Sequence, residues 1–306
     1  MMGLPDFIIA GERRSGSTTL YHLLKMHPDI KMHSISDMDF FIQDELFQRK
    51  PIDDKDVGNW EKNYDINDYK KLFPKTDKVT GQKDADLLFW RPAHQRLAEY
   101  LPNTKFVIIL RDPAKRAESQ YWNEFRKGRE TKSFSNSINK DPSSQWEKLH
   151  LDYKNRSCYV KSLEHFYKYI DRSMVKVVIL ERLFSDWENE MRNLAVFLGI
   201  DQDKAINLKP IHSNKEEVPI VNPKLKKLGL GALVNFYDRV VLAILRRTVK
   251  THKTRNFYKA KLLRFGKVSA REKYPVDQSL LLKLRKEYKT CNEQLENLLK
   301  IKLDQW

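Results

Sequence analysis

Three short, mainly apolar runs divide the chain into similar units. They are Phe7–Ala10, which closes on Gly11, Lys105–Leu110, which closes on Arg111, and Val175–Leu180. Apolar runs of this length are typical of strands buried on both faces of a parallel sheet. The pattern therefore predicts the central strands of an α/β domain.

Residues with helical spacing follow each apolar run. Asp112 is a suitable N-cap for the second helix and Pro113 suits its first position, whereas Gly199 ends the third helix. Alternating strands and helices with short connections predict a parallel sheet with helices on both of its faces. The predicted helices run from Ser17 to His27, Ala114 to about Lys127, Glu188 to Leu198 and Asp277 to Lys300.

The composition is that of a globular protein, because 41% of the 306 residues are hydrophobic and 11% are aromatic. We expect one domain over residues 1–306.

Cys158 and Cys291 form no pattern, so we expect both to be reduced, with a single disulfide between them as the alternative. No apolar run reaches the ~18 residues of a membrane span, and the first residues lack the features of a signal peptide. These observations predict a cytoplasmic protein.

The net charge of +16 is concentrated in one segment. Residues 224–273 contain fifteen Lys and Arg against two acids, so the rest of the chain is nearly neutral. Apolar residues are dense from Leu225 to Val249, which predicts a basic helical insertion. Three interpretations stay open: a helix on an anionic membrane surface, a docking surface for a polyanionic or lipid-linked glycan, and a solvated helical hairpin. A nucleic-acid partner is disfavoured, because the segment carries no recognisable binding motif.

Gly11-Glu12-Arg13-Arg14-Ser15-Gly16-Ser17-Thr18 has the spacing of a P-loop and lies between a predicted strand and a predicted helix. In that context the backbone N–H groups of the turn and of the helix N-terminus bind an oxyanion. The fold class is therefore α/β and P-loop-like. The predicted anion-binding residues are Arg13, Arg14, Ser15, Gly16, Ser17, Thr18 and Thr19.

This loop lacks the lysine that nucleoside triphosphatases use. Ser17 follows Gly16, and the cations are instead Arg13 and Arg14. A Walker lysine neutralises the β- and γ-phosphates of ATP. Its absence disfavours a kinase or triphosphatase and favours a smaller anion with one transferable group.

The loop resembles that of a known enzyme family. Arg14-Ser15-Gly16-Ser17-Thr18 is similar to the 5′-phosphosulfate loop of sulfotransferases that use 3′-phosphoadenosine 5′-phosphosulfate (PAPS), in particular the bacterial-type carbohydrate and heparan-sulfate-like members. The residues that follow, Thr19–Ile30, resemble the first helix of that family and its exit. The resemblance implies that Arg14 replaces the lysine that holds the bridging oxygen of the leaving phosphate.

A second motif of the same family follows. Leu110–Tyr121 resembles the element that binds the 3′-phosphate, which is the group that distinguishes PAPS from ATP. The resemblance implies that Arg111 and Ser119 bind this phosphate and that Arg116 adds charge. An alternative for the motif alone is a helix start whose arginine pairs with Asp112 or another carboxylate.

The resemblance also indicates catalytic candidates. Ser36-Asp37-Met38-Asp39-Phe40-Phe41 aligns Asp37 with the catalytic glutamate of the family, and Asp39 is the rival. Lys83 corresponds to the lysine that faces the sulfonate, although its neighbours Gln82 and Asp84 depart from the family pattern. Sulfuryl transfer is an in-line displacement that needs a base and cations on the leaving oxygen.

Weaker similarities complete the predicted site. Tyr159, in Arg156-Ser157-Cys158-Tyr159, resembles an element near the nucleotide, and Asn214 and Lys215 lie where many members close a loop on the adenosine. No histidine or cysteine spacing indicates a metal, and no nucleophile elbow indicates a hydrolase.

The resemblance thus implies transfer from PAPS to an acceptor hydroxyl, with PAP as product, no metal, and a sugar or glycan as acceptor. A small molecule or lipid as acceptor is one alternative, and an inactive nucleotide-binding or membrane-docked protein is another. The sequence does not fix an oligomeric state.

Overall fold

Five parallel strands form the central sheet, in the order β2-β3-β1-β4-β5. They are β1 (Phe7–Gly11), β2 (Ile30–Met32), β3 (Val79–Lys83), β4 (Lys105–Leu110) and β5 (Val175–Ile179). The computed structural model describes residues 3–42, 66–208, 219–221, 228–248, 262, 267–269, 275–304 and 306. The predicted α/β fold class is confirmed, since helices flank the sheet on both faces.

The helices connect the strands. Their bounds are α1 (Ser17–Lys25), α2 (Ile66–Lys71), α3 (Pro92–Tyr100), α4 (Pro113–Arg126), α5 (Phe134–Ser137), α6 (Gln145–Leu151), α7 (Tyr159–Phe166), α8 (Leu180–Ser185), α9 (Trp187–Leu198), α10 (Gln202–Ile206), α11 (Gly231–Thr248) and α12 (Gln278–Leu299). The predicted cap of α4 is confirmed, because the Asp112 carboxylate accepts the N–H groups of Ala114 at 2.9 Å and Lys115 at 3.2 Å. Gly199 ends α9 in the left-handed conformation, with φ of 75°.

Alternate side chains of the buried strands point to opposite faces, and each face has its own core. Ile8 and Ile108 pack on one side against α3 and α7, together with Leu295 of α12. Ile9 and Ile109 pack on the other side against α1 and α9. Burial of β1 and β4 on both faces explains why their sequences are apolar throughout.

Two strands depart from the apolar pattern and were not predicted. β2 is only three residues long, and β3 has the sequence Val-Thr-Gly-Gln-Lys. Three side chains of β3 are polar, those of Thr80, Gln82 and Lys83, but four of its five residues are buried. Residues 43–65, which precede α2, lie outside the described part of the chain.

The described residues fall into two compact units. The first comprises Met1–Tyr121, Lys132–Ser213 and Gln278–Trp306, and the second comprises Trp122–Thr131 and Asn214–Asp277. In the second unit, α11 is a long helix, and β6 (Pro219–Val221) pairs antiparallel with β7 (Lys267–Ser269). The predicted helical segment at residues 224–273 therefore contains a helix and also a strand. A single domain over the whole chain stays a prediction.

The expectation that both cysteines are reduced is wrong. Cys158, directly before α7, is joined to Cys291 of α12 by a disulfide, with Cα atoms 5.5 Å apart. The two residues are 133 positions apart in the sequence, so only the packing of α12 on α7 reveals the pair. Disulfides persist mainly in oxidising compartments, so the cytoplasmic location loses one of its supports and stays a prediction. Among the helices described, none is long and apolar enough to cross a membrane.

We expect the disulfide to stabilise the first unit by closing a long loop in the unfolded chain. A Cys158→Ser, Cys291→Ser double variant should lose about 2–4 kcal/mol of unfolding free energy, measured by urea denaturation without reductant. The wild type in reductant should show the same loss. Equal denaturation midpoints for oxidised wild type and the double variant would contradict the prediction.

Candidate active site

The carboxyl ends of three neighbouring strands bring the predicted motifs together. β1 ends at Gly11, where the phosphate loop begins, β3 ends at Lys83, and β4 ends at Leu110, directly before Arg111. β1 lies between β3 and β4 in the sheet. The loop is therefore flanked by Lys83 on one side and Arg111 on the other. These residues lie at the carboxyl ends of the strands, where open α/β sheets bind their ligands.

The loop depends on backbone conformations that glycine and short turns allow. Arg14 and Gly16 have φ of 69° and 102°, in the left-handed region. A Cβ atom on Gly16 would lie 2.6 Å from Leu180 Cδ1, so a larger residue would displace the Leu180 side chain. α1 begins at Ser17, and the first N–H groups of a helix point outward as anion donors. The described loop is thus suited to hold an oxyanion.

Arg14, Arg111 and Ser119, predicted to bind the two ends of the donor, lie together. Arg14 Nε donates to Ser119 Oγ at 3.2 Å, and Arg111 Nη1 approaches the Arg14 carbonyl oxygen at 3.5 Å. The two guanidinium groups and the Ser119 hydroxyl therefore lie close together at the carboxyl end of the sheet. Such forks match the oxygens of phosphate and sulfate groups.

Tyr159 holds the backbone of Arg111. Its hydroxyl donates to the Arg111 carbonyl oxygen at 2.7 Å, and its ring is buried. Burial raises the pKa of Tyr159 far above its usual value, so the hydroxyl stays protonated as a donor. The structure thus gives Tyr159 a place beneath the predicted phosphate site, and a direct nucleotide contact stays a prediction.

The turn that carries Arg111 is also fixed by the end of the chain. Arg285 of α12 binds the Asp112 carboxylate through Nε at 3.1 Å and Nη2 at 2.8 Å. Glu181 accepts the Asp112 N–H at 3.1 Å and the Trp306 indole N–H at 3.1 Å. Sequence reasoning missed Arg285, because Asp112 is 173 residues away. The alternative pairing of Arg111 with Asp112 is replaced by this arrangement.

Asp37 and Lys83 form an ion pair. Lys83 Nζ donates to Asp37 Oδ2, while Asp37 Oδ1 accepts the Ala85 N–H at 3.0 Å. The Asp37 N–H donates to the Lys83 carbonyl oxygen at 2.7 Å. The Asp37 side chain is 35% exposed and the Lys83 side chain only 3%. Asp37 therefore faces solvent with a buried cation behind it, as a base that must reach an acceptor requires.

Asp39 has a different environment. It is buried, and its N–H donates to Asp84 Oδ2 at 2.9 Å. Burial, followed by the charge of Asp84, raises the pKa of Asp39 well above its usual range. A carboxyl group that keeps its proton cannot accept one from a hydroxyl. This difference favours Asp37 over Asp39 as the base, which stays a prediction.

A buried ion network lies beneath the loop. Arg13 Nε donates to Asp86 Oδ1 at 2.9 Å, and Arg13 Nη1 lies 3.1 Å from His150 Nδ1. Arg156 donates to Asp86 Oδ1 at 2.7 Å and to the Glu12 carboxylate. Burial opposes ionisation of Asp86, but the two guanidinium groups outweigh it and hold the pKa of Asp86 well below its usual range. The Arg13 side chain is thus directed to Asp86, and its contact with the donor stays a prediction.

The remaining predicted residues have other positions. Arg116 is fully buried and donates to Ser157 Oγ at 2.7 Å and to the Tyr153 carbonyl oxygen at 2.6 Å, so it holds backbone and side-chain groups of the core. Asn214 and Lys215 lie outside the described residues. Among the residues that the structure describes, no group of three or more His, Cys, Asp or Glu could hold a metal ion.

A model of the sulfotransferase family matches residues 5–204 of the chain. This range contains the phosphate loop, the Asp37–Lys83 pair and the Arg111-Asp112-Pro113 turn. It also contains Arg156 and Tyr159, which support the loop and the turn. The match therefore covers more than half of the chain and nearly all the predicted site residues.

Curated relatives are similar over about two thirds of the chain. Human heparan sulfate glucosamine 3-O-sulfotransferase 3B1 is 26% identical over 219 residues, covering 69% of this chain and 50% of the relative. Mouse bifunctional heparan sulfate N-deacetylase/N-sulfotransferase 4 is 26% identical over 206 residues, covering 64% of this chain and 22% of the relative. The chain thus spans half or less of the length of these relatives.

A solved structure shows the same fold. The crystal structure of a sulfotransferase from Alicyclobacillus acidocaldarius superposes with a TM-score of 0.55 at 24% identity, covering 82% of this chain and 98% of that one. At this identity the likeness concerns the fold. Together with the family match, it leads to one conclusion: the chain belongs to the sulfotransferase family.

Proposed function

We propose that this protein transfers the sulfuryl group of PAPS to a hydroxyl group of a sugar or glycan and releases PAP. One observation carries the proposal. Two charged groups lie at the carboxyl end of the sheet: the ion pair of Asp37 and Lys83, and the guanidinium groups of Arg14 and Arg111. The first pair suits an acceptor hydroxyl and the second suits a doubly anionic donor.

The donor carries two anionic groups, and the site offers two sets of cations. The N–H groups of the phosphate loop and Arg14 would hold the 5′-phosphosulfate, as helix N-termini hold oxyanions. Arg111 and Ser119 would hold the 3′-phosphate. Arg14 bonds to Ser119, so it can interact with both groups and fix the distance between them.

The chemistry follows from the positions of the charged groups. Asp37 would take the proton of the acceptor hydroxyl, whose oxygen attacks sulfur while the bond from sulfur to the bridging phosphate oxygen breaks. Arg14 and Lys83 would stabilise the negative charge on the leaving oxygen and on the sulfonate oxygens. Asp37 and Lys83 are already in contact, so the base and a cation are preorganised for in-line displacement.

The proposal of a sugar acceptor is based on the curated relatives. The names of the curated relatives describe enzymes that sulfate heparan sulfate, which supports a sugar acceptor here. A small molecule or lipid as acceptor with the same donor is the first alternative. An inactive nucleotide-binding protein is the second, since Ser36, Gln82 and Asp84 depart from the family pattern.

Donor binding can be tested by thermal shift. PAP at 100 times its Kd should stabilise the protein by about 2.7 kcal/mol, whereas AMP, which lacks the 3′-phosphate, should stabilise it much less. Arg111→Ala should remove most of the effect of PAP, because it deletes a guanidinium group from the 3′-phosphate site. Lys115→Ala, an exposed change in the helix that follows Arg111, is the control and should respond as the wild type does. An equal shift with ATP and PAP would exclude a specific 3′-phosphate site.

The base can be identified by comparing two aspartates. Asp37→Ala should lower turnover by about 10²–10⁴-fold, the range for loss of a general base, while the PAP-induced thermal shift is retained. Asp39→Asn keeps the shape and neutrality of a protonated carboxyl group, so it should retain most of the turnover. Radiolabelled sulfate transfer measures both. The reverse result would identify Asp39 as the base.

We further propose that α11 binds an anionic membrane surface. Leu233, Phe236, Val240 and Ile244 form one stripe along this helix, with 39–64% of each residue exposed. Val234, Val241 and Leu245 are buried on an adjacent face. An exposed apolar stripe within a segment of fifteen Lys and Arg and two acids is complementary to a negatively charged bilayer surface. Such binding would bring the site to a lipid-linked acceptor.

Flotation with liposomes tests this surface. The wild type should float with vesicles that contain phosphatidylserine at low salt and bind more weakly at high salt, because the attraction is partly electrostatic. Leu233→Ser with Phe236→Ser should abolish flotation. Leu282→Ser, which removes an exposed leucine from α12, is the matched control and should float normally. No flotation of the wild type at low salt would exclude the membrane.

A further inference from the structure

Two carboxyl groups, Asp39 and Asp84, lie together behind the Asp37–Lys83 pair. Both are buried, with 6% and 0% of each residue exposed. The Asp39 N–H donates to Asp84 Oδ2 at 2.9 Å. Asp84 directly follows Lys83 at the end of β3, so this contact joins the strand that carries the lysine to the turn that carries Asp37.

Each of these carboxyl groups has an oxygen without a hydrogen-bond partner. Within the described residues, Asp39 Oδ1 and Asp84 Oδ1 are buried and make no hydrogen bond. Two ionised carboxylates in this position would both be desolvated and would repel each other. A proton on each of them removes its charge and supplies a donor. The burial and the missing partners together indicate that both groups keep their protons and are neutral.

The turn from Asp37 to Asp39 needs such an anchor. Asp37 and Asp39 both have positive φ, 56° and 55°, which is unfavourable for residues with a side chain. Backbone N–H groups hold the turn at two points: that of Asp37 donates to the Lys83 carbonyl oxygen at 2.7 Å, and that of Asp39 donates to Asp84. The Asp84 carboxyl group is therefore one of the two anchors that fix the backbone around Asp37.

We propose that Asp84 is a positioning residue: it keeps its proton beside a neutral Asp39, and its carboxyl group anchors the turn that holds Asp37 against Lys83. This inference rests on the proposed function of Asp37 as the base. Neutrality matters because Asp84 is the neighbour of Lys83 in the chain. A charged Asp84 would compete with Asp37 for the lysine and reduce the positive charge available to the sulfonate.

The groups around Asp84 set the pH at which this arrangement fails. Burial, then the charges of Asp37 and Asp86, raise the pKa of Asp84 to about 8, against the opposing effects of the Asp39 N–H and Lys83. Tyr69 of α2 also faces Asp84, and Arg13 of the loop faces Asp39. Above this pH Asp84 ionises, and we expect turnover to decline because the anchor becomes a competitor for Lys83.

The same shift makes folding stability depend on pH. A carboxyl group whose pKa is raised on folding binds its proton more tightly in the native state than in the unfolded chain. Stability is therefore highest below the unfolded pKa, near 4, and falls as the pH rises toward the folded pKa of about 8. The urea midpoint of the wild type should decrease over this range for this reason.

Asp84→Asn separates positioning from charge. Asparagine accepts the Asp39 N–H through its carbonyl and donates through its amide, as the protonated acid does, but it does not ionise. The variant should keep kcat/KM within about threefold at pH 7, where the wild-type acid is mostly protonated, and should lack the decline above pH 8. Asp84→Ala removes the anchor and should lower kcat/KM by about 10²-fold, the cost of misplacing a catalytic group by about 1 Å.

The urea midpoint provides a readout that does not need turnover. Between pH 5 and 8 it should fall less in Asp84→Asn than in the wild type, while Asp77→Asn, an exposed control on the same unit, should behave as the wild type. If Asp84→Asn retains both the wild-type alkaline decline and the wild-type slope of midpoint with pH, the inference is overturned. A wild type that does not bind PAP would overturn the proposed function instead, and the midpoint slope would still decide whether Asp84 holds a proton.

Discussion

The structure depends on a charge that is fully buried beneath the phosphate loop. The Arg156 guanidinium lies between Glu12 and Asp86, while Arg13 binds Asp86 from the loop itself. A buried ion is tolerated only when partners compensate for its lost hydration, and removal of one partner leaves an unpaired charge. The network therefore requires the loop after β1, the segment after β3 and the residues before α7 to be in place together.

On this base the site separates two kinds of electrostatic environment. Arg14 and Arg111 form a cationic group on one side, and Tyr159 and Arg285 hold the backbone from which Arg111 projects. On the other side of β1, carboxyl groups predominate, and Lys83 pairs with one of them, that of Asp37. Neighbouring strands of one sheet thus carry cationic groups on one side of β1 and mainly carboxyl groups on the other.

The sequence predicted the parts of this structure in which local pattern and tertiary environment agree. β4 was predicted with its observed bounds, since its residues are apolar and buried on both faces, and the phosphate loop was identified from its spacing. β3 was not predicted, because its threonine, glutamine and lysine are polar and are buried with distant polar partners, Asp6, Tyr69 and Asp37. Contacts between distant residues, such as Arg285 with Asp112 and Arg156 with Glu12, leave no periodic signal and require the fold. Asp84 stood out only as a departure from a motif.

The Cys158–Cys291 disulfide has a consequence for the way the chain is divided. Cys158 directly precedes Tyr159, which binds the backbone of Arg111, and Cys291 lies on the helix whose Arg285 binds Asp112. The two supports of the Arg111-Asp112-Pro113 turn are therefore covalently joined to each other, and residues 159–290 form a ring closed by the cross-link. In sequence, residues 214–277 of the second unit belong to this closed loop of chain. A single cut in that segment would leave the two supports covalently joined.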